Sequence, residues 1–318
     1  MSNSLGYIRS SASVEAVRTL QPKMFLESEE TKTYSKTVSV VEQPPSNVKV
    51  EINSTRITIM HLMLMLIYAG ASFVVFYFGN LDLNAPLFVE KNRINESSKT
   101  FTSDSILSES VDLPITWLVG IFFGLAALFN FSSITLFRKY YLEGLRHCVS
   151  PIRWSEYFLL SGLMTFIVGF VIGIDSIFLL LSLAVLISTS SLFGLWTEML
   201  ARPSSSDSWS RPLRVRVMPF LFSVLPSTFV MTLMVVYFYL GQDPKFSEYA
   251  HLNAKLWVAF TLFPQFILVL AFQQYFTPKR YQRVEVLYQI VSLVVRLTIG
   301  GLLFTYVLRN DEWNDQFS

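Results

Sequence analysis

From residue 57 onward the chain alternates long apolar runs with short polar breaks, and the runs have the length a membrane helix requires. A helix rises about 1.5 Å per residue, so about 20 residues cross a hydrocarbon core. Segments of that kind lie at 57–79, 114–137, 153–174, 176–200, 217–240, 253–275 and 284–308. This pattern predicts an all-α membrane protein, a bundle of seven transmembrane helices spanning 57–308. The break "GFVIGIDSIF" between the third and fourth spans is so short that these two helices must be antiparallel neighbours. Residues 1–56 are polar, hold no apolar run of the length a signal peptide needs, and read as a disordered tail ending in the linker "PPSNV". Residues 309–318 form a short polar tail.

Composition agrees with that pattern and removes several functions. The chain is 52% hydrophobic and 15% charged, against about 25% charged in a soluble domain. A net charge of +2, with cations scattered over short loops, offers no nucleic-acid groove. One cysteine, Cys148, and three separated histidines, His61, His147 and His251, supply no metal cluster. No nucleophile, base and metal converge, so the sequence does not read as an enzyme.

Loop charges set an orientation. Eighteen Lys/Arg fall in the tail and in the loops on its side, against six on the other side. By the positive-inside rule the amino terminus is cytoplasmic and the carboxyl terminus outside. That is opposite to a G-protein-coupled receptor. The long first outer loop, 80–113, carries Asn95 in an "NES" sequon, a glycosylation candidate or an unmodified exposed asparagine.

The informative residues are the polar ones inside the spans. In the seventh span Glu285, Gln289, Ser292, Arg296 and Gly300 recur every three or four positions, hence on one helix face, which must turn inward. Arg296 sits at mid-depth, where a guanidinium costs at least ~2.5 kcal/mol even on a lenient insertion scale. Glu156 in the third span is its nearest plausible anionic partner, and an ion pair fixing helix packing is the leading structural reading. His61 in the first span, Asn130 in the second, Arg153 at the start of the third and Glu198 at the end of the fourth complete a polar interior. Each has a plainer reading: His61 as a hydrogen-bonded core residue, Asn130 as a link between helices, and Arg153, Glu198 and Glu285 as interfacial charges at helix ends.

Several stretches together resemble the heliorhodopsins. "SPIRWSEYFLLSGLM" is similar to the third helix of that family and "RVEVLYQIVSLVVRLTIGGLLF" to its seventh, while "LFGLWTEML" and "AFQQYF" resemble the ends of its fourth and sixth. The likeness runs over about 57–308, and the family shares the inverted topology that the loop charges indicate. The resemblance implies a rhodopsin-like fold, with Glu156 at the Schiff-base counterion position, Ser292 one turn before the retinal-binding lysine, and Arg296 at the lysine position itself. His61 falls where the family has a first-helix histidine, whereas Asn130 replaces a frequent second one. "VLPSTF" lacks the tryptophan expected after the proline. Arginine cannot form an imine with an aldehyde, so the resemblance carries no covalent cofactor over to this chain. Noncovalent retinal or another apolar ligand stays open, as do a homodimer and a protein partner besides the lipid bilayer. The expected function is non-photochemical binding, signalling or partner regulation, with an Arg296–Glu156 pair in place of the Schiff base. The alternative is an ion or proton channel, or a small-molecule transporter, using the polar interior.

Overall fold

The structure is a computed structural model that describes residues 48–91, 94–95, 100–101, 106–174, 176–240, 273 and 276–308. Most of the predicted tail, the sixth span apart from Gln273, and residues 309–318 lie outside the described residues. The elements run α1 (Ser54–Phe78), β1 (Asn84–Lys91), β2 (Ile94–Asn95), β3 (Thr100–Phe101), β4 (Ile106–Pro114), α2 (Ile115–Ile134), α3 (Arg138–Arg146), α4 (Pro151–Val171), α5 (Ile177–Leu200), α6 (Leu213–Leu240) and α7 (Tyr281–Leu303). A 3₁₀ turn at Pro278–Arg280 leads into α7 and a π turn at Phe304–Leu308 follows it. Six of these helices, α1, α2, α4, α5, α6 and α7, are long and apolar enough to cross a membrane. The short α3 lies between the second and third spans.

Helices form here because hydrocarbon offers the backbone no alternative hydrogen-bond partners. Local signals set their ends. The Asn53 side chain accepts from Arg56 N at 3.1 Å and so caps α1, and Pro151 occupies the first turn of α4, where its missing N–H costs nothing. The turn from α4 to α5 passes through Gly173 at φ +105°, a left-handed conformation that suits only glycine.

The packing is graded around α4, whose most apolar stretch is 72% buried, against 22% for α1 and for α6. Helix α4 packs on α5 and α2, α1 on α2, α5 on α6, and α7 on α1. Leu64, Tyr68, Val119, Phe123, Leu160, Met164, Leu183, Val295 and Ile299 belong to one continuous apolar core between them. Trp154, Tyr157, Val284 and Tyr288 form a second, aromatic cluster between α4 and α7.

The all-helical expectation needs one amendment. The first outer loop contains a two-stranded antiparallel sheet of β1 and β4, with Asn84 opposite Pro114 and Lys91 opposite Ile106, and a second small pair of β2 and β3. "NAPLFVEK" holds a short apolar run, residues 85–89, bounded by polar residues, and "SVDL" within "ILSESVDLP" alternates polar and apolar; runs this short suit strands and are far below the length of a spanning helix.

Candidate functional site

The polar face of α7 turns inward along its whole length: Glu285, Gln289, Ser292, Arg296 and Gly300 are all buried. Opposite it, α4 buries Arg153, Glu156, Ser161 and Thr165. The two helices meet through two ion pairs of reversed polarity.

In the deeper pair Arg296 Nη1 donates to Glu156 Oε1 at 2.5 Å, with the side chains only 4% and 3% exposed. The guanidinium also lies 5.5 Å from the Tyr68 ring and 5.7 Å from the Tyr157 ring, so its faces are bounded by aromatic surface. Glu156 is the sixth residue of α4 and Arg296 the sixteenth of α7, yet they meet. Helical side chains point back toward the amino terminus, and a long arginine covers much of that offset.

The second pair lies toward the face where α1 begins. Arg153 is fully buried between two carboxylates, donating through Nη1 to Glu285 and through Nη2 to Glu198. Its guanidinium stacks 4.1 Å from the Tyr288 ring centroid. Glu198 is the better satisfied acid: it also accepts from Ser150 N at 3.0 Å, Gln273 Nε2 at 3.1 Å and Tyr281 Oη at 3.1 Å. The Tyr157 hydroxyl donates to the Tyr288 carbonyl at 3.2 Å, closing the gap between the two ion pairs. The reading of Arg153, Glu198 and Glu285 as interfacial charges at helix ends is therefore corrected, because all three are buried and joined to one another. Trp154 fits beside this cluster because residue 194 is glycine: a Cβ there would collide with the indole ring.

From Glu285 the network continues to α1 and α2. Tyr141 of α3 donates to Glu285 Oε1 at 2.7 Å, His61 Nε2 lies 2.9 Å from the Tyr141 hydroxyl, and His61 Nδ1 lies 2.7 Å from Asn130 Oδ1. Asn130 Nδ2 donates to the Ala126 carbonyl at 2.8 Å. Burial first, and then the Glu285 carboxylate beside it, push the Tyr141 phenol well above its ordinary range, so its proton stays on oxygen. His61 and Asn130 thus join the Arg153 cluster, and Ser292 lies on the Arg296 stretch of the stripe. Asn95 stands apart in β2, opposite Thr100 in β3.

Sequence reasoning did not single out Tyr141, Tyr281, Gln273 or Tyr288. Tyr281, Glu285 and Tyr288 do share the helical spacing of the polar stripe, and that signal was available. Tyr141 offered a fainter one: in "RKYYLEGLR" it shares an i, i+4 face with Leu145 among charged residues, the pattern of a short amphipathic helix.

Among the described residues no group of three or more His, Cys, Asp or Glu is placed to hold a metal ion. Buried polar atoms of Ser161, Thr165 and Gln289 lack a hydrogen-bond partner among the described residues. A bundle of apolar helices with a charged interior of this kind defines an integral, multi-pass membrane protein of rhodopsin-like type. The heliorhodopsin family model matches residues 56–308, and the chain belongs to that family. No curated protein matches it significantly.

Family membership raises the question of retinal, and the residues present do not fit a covalently attached one. Attachment requires an amine that can lose its proton and attack an aldehyde, whereas residue 296 is an arginine whose guanidinium is already engaged by Glu156.

Proposed function

We propose that this protein is a heliorhodopsin-fold membrane protein that works without a Schiff base, as a non-photochemical binding, signalling or partner-regulating protein. The observation that carries this reading is the 2.5 Å contact between Arg296 and Glu156. A fixed guanidinium supplies at residue 296 the positive charge that a protonated imine would otherwise supply, opposite the carboxylate at the counterion position. Unlike a protonated imine, it is not neutralised by losing its proton and is not lost by hydrolysis, so the charge that joins α7 to α4 is permanent.

The polar atoms of Ser161, Thr165 and Gln289 favour recognition of a mostly apolar small molecule with one or two polar groups, noncovalent retinal among them. The excess of Lys/Arg on the amino-terminal side, eighteen against six, supports a cytoplasmic amino terminus and an outer carboxyl terminus. On that side the β1–β4 sheet and Asn95 would face outward, accessible to a partner, to a second copy of the chain or to glycosylation.

Thermal stability of the protein in lipid nanodiscs, measured against a panel of retinoids and other apolar ligands, tests the reading. A concentration-dependent rise in Tm without ion flux in liposomes supports it. Flux that is abolished by Arg296→Ala in a protein that still folds would replace it with the channel or transporter reading.

A further inference from the structure

Three contacts in series run from α2 to α7: Asn130 Oδ1 to His61 Nδ1 at 2.7 Å, His61 Nε2 to Tyr141 Oη at 2.9 Å, and Tyr141 Oη to Glu285 Oε1 at 2.7 Å. Each needs one proton between its two heavy atoms. The orientation of Asn130 is fixed from outside the series, because its amide nitrogen donates to the Ala126 carbonyl, an unambiguous acceptor. Its Oδ1 therefore accepts, and His61 Nδ1 carries a proton. A neutral histidine and a neutral tyrosine bring only two protons to three contacts. With an ionised Glu285, either His61 Nε2 and Tyr141 Oη or Tyr141 Oη and Glu285 Oε1 would face each other with lone pairs alone, buried and at hydrogen-bond distance.

Charge leads to the same place by an independent route. Arg153 is shared by two buried carboxylates, Glu198 and Glu285, which leaves one uncompensated negative charge. Glu198 is satisfied as an anion by Arg153, Ser150, Gln273 and Tyr281. Glu285 accepts from Arg153 and Tyr141.

We infer that the His61–Tyr141–Glu285 chain is a buried proton-binding site that holds one proton more than neutral histidine, neutral tyrosine and ionised glutamate together supply. The proton has two resting places. In one, His61 is an imidazolium and Tyr141 donates to the Glu285 carboxylate. In the other, the Nε2 proton has passed to Tyr141 Oη as the Tyr141 proton passes to Glu285 Oε1, giving neutral His61 and a carboxylic acid. Two bonds to hydrogen break and two form, no charge leaves the cluster, and all three contacts are satisfied in both. Of the charged and titratable groups around the series, Arg153 of α4 contacts it directly at Glu285; Glu198 of α5 lies behind Arg153, Tyr281 of α7 bonds to Glu198, and the Glu156 carboxylate of α4 acts on Tyr141 at longer range. The site is separate from the Arg296–Glu156 pair, so it does not depend on the reading of that pair.

The test uses the full chain in nanodiscs near neutral pH, labelled with ¹⁵N-histidine, with His147→Gln and His251→Gln so that His61 alone reports. The ¹⁵N spectrum shows whether both ring nitrogens are protonated, and the infrared spectrum in H₂O and D₂O shows whether a protonated carboxyl band is present. The expected result is a doubly protonated His61, or a carboxylic acid band that vanishes in Glu285→Gln, or a mixture of the two. In Glu285→Gln the amide can donate to Tyr141, so His61 becomes neutral. A singly protonated His61 with no carboxylic acid band in the unmodified cluster would overturn the proposal, and that result needs no variant at Glu285.

Discussion

Arg296 of α7 donates to Glu156 of α4 across 2.5 Å, while nearer the amino-terminal face the polarity is reversed, with Arg153 of α4 donating to Glu285 of α7. Each helix thus presents a cation to the other's carboxylate. In a low-dielectric interior such exchange fixes both the register and the rotation of the pair, since a slip would leave Arg296, Glu156 and Glu285 buried without their partners while Arg153 kept only Glu198.

Removing either member of the deeper pair leaves an uncompensated buried charge. Arg296→Ala and Glu156→Ala should each lower stability by about 3–5 kcal/mol. The double variant should lie closer to the native protein than the sum of the two, because neither orphan charge remains. Thermal unfolding of the four proteins in nanodiscs checks this. Additive losses would mean that the two side chains do not interact.

The two acids on Arg153 should differ. Glu198→Gln disturbs an acceptor serving Arg153, Ser150, Gln273 and Tyr281, whereas Glu285→Gln disturbs one serving Arg153 and Tyr141. The first should therefore cost more than the second, and Arg153→Ala more than either, since it leaves two adjacent carboxylates. Tm and the fraction of monodisperse protein after purification give the order.

Gly194 of α5 is the space into which Trp154 of α4 packs. Gly194→Ala should cost about 1–3 kcal/mol by overpacking, and Gly194→Leu should prevent the helices from closing. Tryptophan fluorescence and Tm should both change, whereas the same changes at Gly70, which faces open space, should leave them as they are.

Exposed charge should behave differently from buried charge. Glu143 meets Lys49 at 2.5 Å with side chains 43% and 54% exposed, and the hydrogen bond from Lys49 holds the carboxyl below its usual range. A depressed carboxyl contributes stability above its unfolded pKa and loses it as pH falls through the folded value. In Lys49→Ala the Glu143 titration midpoint, followed by NMR, should move up while Tm hardly changes.

Hydropathy made the helical framework legible, because a spanning helix must be apolar over a length fixed by the bilayer. The stripe on α7 likewise exposed Glu285, Gln289, Ser292 and Arg296, since helical period alone places them on one face. What periodicity does not carry is depth relative to other helices. Arg153, Glu198 and Glu285 lie near the ends of their spans in sequence, yet they are buried, with Tyr141 of α3 bonded to Glu285 and Tyr281 at the start of α7 bonded to Glu198, so an end in sequence is an interior in space. Tyr141 illustrates the same limit: a charged surface helix delivers one aromatic hydroxyl inward. The outer sheet was not legible because its strands carry only short apolar runs and partial alternation, and the loop offered the sequence reading no more than its length and the Asn95 sequon.

The central claim is that Arg296 replaces the retinal-binding lysine within a retained heliorhodopsin fold. It is tested most directly by the visible absorption of the purified protein after addition of all-trans retinal, recorded beside Arg296→Lys. The account predicts a native protein without a Schiff-base band and a lysine variant that gains one, bleached by hydroxylamine. A hydroxylamine-sensitive band in the native protein, or a folded lysine variant that stays colourless, would contradict it.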